Sequence, residues 1–379
     1  MLKKGVIVLG GHVQALGIVR IFGRNGVPLV VIDNTTKNIA RHSRYCTHFC
    51  MADDEELLEF LLDMGKKNLY PGWIIFPTND LHVKILSQNK QTLDHFFITG
   101  TEHWDSIKSF YNKRLTYQLA EANGIPIAKT YFPASANDLA DIKIDYPCII
   151  KPAVMHDFYR KTKRKVFVCR TPKDLIHNYK QALKFIPTEE LIIQEIIQGK
   201  GSNQFSACFL FLNNKSFVKL TACRLRQHPL DFGNATTYAE TYDIPELIGL
   251  GERLLKAANY NGICEVEFKK DDRDGQYKLL EVNTRTWKWH TIAVEAGTPF
   301  LQSYYDYLHG KEIVPVDEIR PAAFRHALTD IAVQIRLLLR GDLNAFRYRK
   351  PVVKAVWDKK DLLPWFYEKF YLLHFLRNR

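Results

Sequence analysis

The stretch Cys264-Glu265-Val266-Glu267-Phe268, followed after the turn-rich Asp271-Asp-Arg-Asp-Gly275 by Leu280-Glu281-Val282-Asn283-Thr284-Arg285, decides the reading of this chain. It predicts two strands, over 263–269 and 277–282, joined as a hairpin. Residues two apart in a strand share a face, so Glu281 and Asn283 point one way and Glu267 on the partner strand can lie across from them. Glu265 shares the face of Glu267 and is the alternative donor. Two acids on one face repel unless a cation or a fixed Lys or Arg sits between them. Mg²⁺ takes a few such oxygens and fills its remaining positions from substrate phosphate. A solvated hairpin face is the plainer alternative, and the acids' position beside Asn-Thr-Arg at the end of an apolar strand weighs against it.

Working outward, a helix is expected over 105–123, stopped by Asn123-Gly124, with Ile125-Pro126 restarting extended chain. Strands follow at 148–151, 165–169, 191–194, 205–212 and 216–223, then a helix over 245–259. This block is α+β and mostly antiparallel. Ahead of it, residues 5–33 read as strand, glycine turn, helix and strand, and the apolar runs 73–76 and 96–99 extend a parallel α/β sheet. Pro77-Thr-Asn79-Asp80 falls where a strand ends at a ligand crevice, although Asn79 and Asp80 more commonly cap the next helix. Gly10-Gly11 lacks the full dinucleotide fingerprint and reads as a tight turn, not a nicotinamide site. From about 311 the chain is expected to be mostly helical. Its last thirty residues are crowded with aromatics and cations, Trp357, Trp365, Phe370, Arg377 and Arg379 among them.

Glu267 with Glu281-Val-Asn283-Thr-Arg285 resembles the metal-binding signature of the ATP-grasp superfamily, which includes biotin carboxylase and the D-alanine and D-aspartate ligases. The resemblance runs over roughly 105–300 in the order Lys113, Lys151, Gln194-Glu195-Ile196-Ile197, Glu267, Glu281-x-Asn283. It implies an α/β pre-ATP-grasp domain over 1–104, a two-lobed ATP-grasp domain over 105–310 and a helical, basic and aromatic extension over 311–379. It also implies that Glu267, Glu281 and Asn283 hold Mg²⁺ or Mn²⁺, and that Lys113 and Lys151 grip the phosphates of ATP. Gln194, Glu195 and Ile197 would form the hinge that holds the nucleotide, and Arg285, with Arg226 as second candidate, would stabilise the transferring phosphoryl group. Arg224-Leu-Arg226-Gln-His-Pro229 and Phe232-Gly233-Asn-Ala-Thr-Thr237 are most similar to the carboxylate–amine ligase branch. Between Lys151 and Val166, where many members carry a glycine-rich flap, Met155 to Lys165 holds no glycine and many cations. Such a flap would close on triphosphate by charge.

The implied activity is ADP-forming ligation: a carboxylate is activated as an acyl phosphate and coupled to an amine. The substrates would be small molecules or cell-surface precursors. Composition agrees with several partners. With 379 residues, 46% hydrophobic, the chain can bury two or three cores. A formal charge of +12 admits phosphorylated small molecules, polyanions and acidic membranes, while no nucleic-acid motif is present. Seven scattered cysteines without a CxxC pair suit a reducing cytoplasm. The apolar run after Met1 ends at Gly10-Gly11 and reads as a first strand, not a signal peptide. No apolar run reaches the ~18–20 residues that span a bilayer, so a cytoplasmic protein is expected. The cationic, aromatic C-terminus also admits peripheral contact with the inner membrane face. A non-catalytic nucleotide-binding or membrane- and polyanion-associated protein is the alternative function. His290 is read as an acceptor-site residue or a structural histidine.

Overall fold

Val6–Leu9 is apolar throughout and buried on both faces, which a central strand of a parallel sheet requires. The computed structural model describes residues 4–230 and 235–372, apart from the side chains of His156 and Asp157. Phe232, Gly233 and Asn234, and the tail from Leu373 through Arg377 to Arg379, lie outside the described residues.

The first unit runs β1 (Val6–Leu9), α1 (Val13–Arg24), β2 (Leu29–Asp33), β3 (His48–Met51), α2 (Leu57–Lys66), β4 (Ile74–Pro77), α3 (Asp80–Gln88), α4 (Lys90–Leu93) and β5 (Ile98–Thr99). Its five strands are parallel in the order β3-β2-β1-β4-β5. The order reverses at β1, so the turns after β1 and β4 border a crevice. These turns touch: Gly10 has φ +101°, and a Cβ there would come within 2.3 Å of Thr78 Oγ1.

The single helix expected over 105–123 is two, α5 (Trp104–Tyr111) and α6 (Lys113–Ala122). Asn112 is extended between them, and its side chain accepts hydrogen bonds from the backbone N–H groups of Arg114 and Leu115. It therefore restarts the helix as an N-cap and sets Lys113 at the first helical position. A small antiparallel sheet follows, built from β6 (Thr130–Tyr131), β7 (Cys148–Pro152), α7 (Met155–Thr162), β8 (Phe167–Cys169), α8 (Pro172–Ala182) and β9 (Leu191–Glu195), with strand order β6-β9-β7-β8.

The largest sheet takes β10 (Gln204–Leu212), β11 (Lys215–His228) and β12 (Ala235–Tyr242), then α9 (Pro245–Ala257), β13 (Gly262–Lys270) and β14 (Tyr277–Asn283). After α10 (Ile292–Ala296) and α11 (Phe300–Leu308) come β15 (Ala323–Arg325), α12 (Ala327–Leu339), β16 (Val352–Lys354) and α13 (Leu363–Phe370). The sheet order is β14-β13-β10-β11-β12-β15-β16. A mostly helical stretch was expected beyond 311; among the described residues it carries two helices and also two strands of three residues that continue this sheet.

β10 shows how the units share a core. Cys208, Leu210 and Leu212 join the cluster containing Phe22 of α1 and Trp287, whereas Ala207, Phe209 and Phe211 face Leu247 and Leu254 of α9. The alternation puts successive side chains on opposite faces, so one strand seals the sheet against both neighbours.

Candidate active site

The strand register sets the acids. Glu267 on β13 pairs directly with Glu281 on β14, and Glu265 pairs with Asn283. Directly opposed residues share a face, so all four side chains project together, joined by Ser206 opposite Glu267. Facing carboxylates repel, and here cations offset them. Lys113 Nζ lies 2.7 Å from Glu281 Oε2, and Arg224 Nη2 lies 2.9 Å from Glu267 Oε2. Asn283 links the cluster: its Nδ2 donates to Glu265 and Glu267 at 3.0 Å each, and its Oδ1 accepts from Arg285 at 3.1 Å.

Charge and burial then separate the acids. Lys113 draws the Glu281 carboxyl down to about 2. Burial opposes the Lys113 charge, but Glu281 outweighs it and the ammonium pKa is raised. Burial, followed by the charge on Glu267, pushes Glu265 up to about 8. Its oxygens accept from Ser206 Oγ at 2.9 Å and from Asn283. Burial also lowers the pKa of Lys165, against the attraction of Glu281.

A cleft of about 1160 Å³ opens beside this cluster, with Lys113, Glu281 and Asn283 in its wall. Asn79 and Asp80 line it from the parallel sheet, and Arg160, Lys163, Arg164 and Lys165 line it from the glycine-free segment. That segment folds as α7, and Lys163 takes the left-handed conformation (φ 55°) at its C-cap. A glycine commonly fills that role.

The other sequence-predicted residues sort into separate groups. Lys151 is buried, donating to Tyr117 Oη at 2.6 Å and Gln194 Oε1 at 2.7 Å, with its ammonium over the Tyr117 ring. An anionic partner was expected for it, and among the described residues its acceptors are neutral. Glu195 is bound by Arg273 at 2.6 Å, which holds its carboxyl below the usual range, and the Ile197 carbonyl accepts from Lys269 at 2.8 Å. The hinge is thus pinned to the β13–β14 hairpin. Arg285 donates to Asp80 at 2.7 Å as well as to Asn283. Arg226 is turned to Asp330, which it meets with two bonds of 2.7 and 2.9 Å. Asn79 caps α3 by accepting from the His82 N–H at 2.8 Å. His290 is buried; its ring lies where a Cβ on Gly17 of α1 would fall, and burial pushes it down to about 4.

Two contributors, Tyr117 and Arg224, went unread in the sequence. Tyr117 donates to the Leu280 carbonyl at 2.6 Å and so connects Lys151 to the strand bearing Glu281. Its place one helical turn after Lys113 was the available signal. Arg224, and not Arg226, is the arginine that meets the acids, and Lys165 reaches the same cleft. Among the described residues, no group of three or more His, Cys, Asp or Glu side chains is placed to hold a metal. The donors here are two facing carboxylates and one amide, which suits Mg²⁺ where phosphate oxygens and water supply the rest.

Comparison with known proteins follows the same lines. Residues 245–305, which include the hairpin, match the family model described as carbamoyl-phosphate synthase L chain, ATP binding domain. A D-aspartate ligase of Enterococcus faecium is 24% identical over 254 residues, 61% of this chain and 58% of the relative, so the chain matches under two thirds of that protein's length. The biotin carboxylase domain of a Hydrogenobacter thermophilus 2-oxoglutarate carboxylase, solved with MgADP and bicarbonate, superposes with a TM-score of 0.66 at 16% identity, covering 84% of this chain and 73% of that one. An L-amino acid ligase from Bacillus licheniformis gives 0.62 at 14% identity, covering 81% and 75%. Among the described residues no helix is long and apolar enough to cross a membrane.

Proposed function

The chain has the ATP-grasp fold, and on that premise we propose that it is an ATP- and Mg²⁺-dependent ligase that activates a carboxylate as an acyl phosphate and couples it to an amine. One observation carries the reading: Glu267 and Glu281 face each other on adjacent strands beside a cleft rimmed by Lys113, Arg160, Lys163, Arg164 and Lys165. Paired acids under a ring of cations suit a metal-bound triphosphate. The similarity to a D-aspartate ligase and the fold shared with an L-amino acid ligase support an amide-forming reaction.

Glu267, Glu281 and Asn283 would hold Mg²⁺, which neutralises phosphate charge when bound. Glu265 is the poorer ligand, since burial favours its neutral form and its oxygens are spent on Ser206 and Asn283. Lys113 and Lys165 bring positive charge to the phosphates, and Arg285 and Arg224 flank the carboxylates. Lys151, buried with only neutral acceptors around it among the described residues, is placed to receive a phosphate oxygen. A substrate carboxylate oxygen attacks the γ-phosphorus and ADP leaves. The amine then adds to the carbonyl carbon of the acyl phosphate, inorganic phosphate departs, and the nitrogen loses a proton. No protein nucleophile is required. None of the residues proposed to hold the metal is missing, which does not favour a non-catalytic reading.

The test is ADP release in a coupled assay, over a panel of amino acids and other carboxylates paired with amines, with Glu281→Gln as control. Turnover by the natural chain and its loss in the variant is expected. Nucleotide binding without release of ADP or phosphate for any pair would overturn the reading.

A further inference from the structure

More than half of the large apolar side chains exposed among the described residues fall between Ile331 and Phe370. They are ordered by helical period. On α12, Ile331, Ile335, Leu338 and Leu339 point outward at spacings of four, three and one, and Leu339 is 82% exposed. On α13, Leu363, Phe366 and Phe370 form a second outward stripe, and Phe370 is 76% exposed. The loop between them adds Leu343 and Phe346. A groove of about 500 Å³ separates the helices, with Ala327, Leu328 and Ile331 on one wall and Trp365 and Lys369 on the other. The buried contact of His326 Nε2 with Glu368 Oε1, 2.6 Å, holds the two helices in this arrangement. Exposed apolar patches of this kind mark interaction sites.

Charge selects the occupant. Of the acids of this region Asp342 alone is exposed, and the others are turned inward: Asp361 meets Arg20 at 2.9 Å, Asp358 meets Arg24, and Glu368 meets His326. The cations remain at the surface, including Arg336, Arg347, Arg349, Lys359 and Lys360, while Lys354 and Lys369 stand over Trp357 and Trp365. Two copies joined through this face would bring like charges together. An apolar stripe flanked by Lys, Arg and Trp instead matches a bilayer interface, where the stripe sinks among acyl chains and the cations meet anionic headgroups.

We propose that α12, α13 and the loop joining them form a docking surface for an anionic lipid bilayer, on which the chain lies peripherally. This does not depend on the ligase reading, since neither helix contributes to the nucleotide cleft.

The test is co-sedimentation of the full chain with vesicles of phosphatidylcholine alone and of equal parts phosphatidylcholine and phosphatidylglycerol, at low and high salt. Binding only to the anionic vesicles, weakened by salt, is expected. Phe366→Ser with Phe370→Ser should weaken partitioning about tenfold or more, and Arg336→Glu or Lys369→Glu about fivefold or more each. These side chains are exposed, so the folded state should survive, which circular dichroism checks. Absence of pelleting with both vesicle types would overturn the proposal. So would a concentration-dependent dimer abolished by the phenylalanine variants without vesicle binding, or vesicle binding gained only when 373–379 are removed.

Discussion

Two arginines on β11, Arg224 and Arg226, show how differently one strand can use the same side chain. Arg226 is finished: Asp330 takes it in two bonds, Arg325 and Thr237 complete that carboxylate, and the Tyr238 ring stacks at 4.0 Å. Arg224 is unfinished, with its Nε buried and without a partner among the described residues while its Nη2 meets Glu267 among three clustered acids. A completed buried pair fixes a structure, and here it ties α12 to the large sheet. An incomplete one keeps charge in reserve for a ligand.

The contrast can be broken at several points. Glu281→Gln removes an acid from the unfinished cluster and should lower kcat in the ADP-release assay by about 10²–10³, with the urea midpoint changing much less. Arg226→Ala should do the reverse, costing about 3 kcal/mol in urea unfolding because Asp330 keeps only Arg325 and Thr237. An Arg226→Ala protein that unfolds like the natural chain but no longer turns over would erase the distinction.

A subtler probe uses pH. Glu265 binds its proton more tightly folded, at about 8, than at the ordinary 4.5. Its stabilising contribution is therefore full below 4.5 and lost as pH rises from there through 8. Glu265→Gln should flatten the fall of the urea midpoint across that window, and an unchanged slope would show that Glu265 is not the proton-binding group. The smallest effect is expected from Asn79→Ala, which removes the α3 cap at the cleft's edge at about 1 kcal/mol by thermal unfolding.

Much of this was legible in the sequence because it depends on neighbours in the chain. The two-residue period of 263–269 and 277–282, with the turn at Gly275, pairs the two strands, whereas facing Glu267 with Glu281 also takes the one-residue bulge between Glu267 and Phe268, which no period shows. The four-residue run Val6–Leu9 announces a buried parallel strand in the same way. What was not legible depends on distant partners. Asp330 lies 104 residues from Arg226, so nothing local distinguishes that arginine from Arg224. Asn112 looks like an ordinary polar residue inside a helical pattern until its side chain is seen capping α6. β15 and β16, of three residues each, are too short to show a period, and pairing alone makes them strands.

The rim of the cleft has one further consequence. Because α7 is a hydrogen-bonded helix, the backbone that carries Arg160 is held in step with its turns, and Lys163, Arg164 and Lys165 follow directly from its left-handed end. Any approach of this rim to a guest is expected to run through the backbone at Val154 and Lys163, the two ends of the helix. Substituting Lys163 with glycine should therefore alter how fast nucleotide gets in and out more than how tightly it is held.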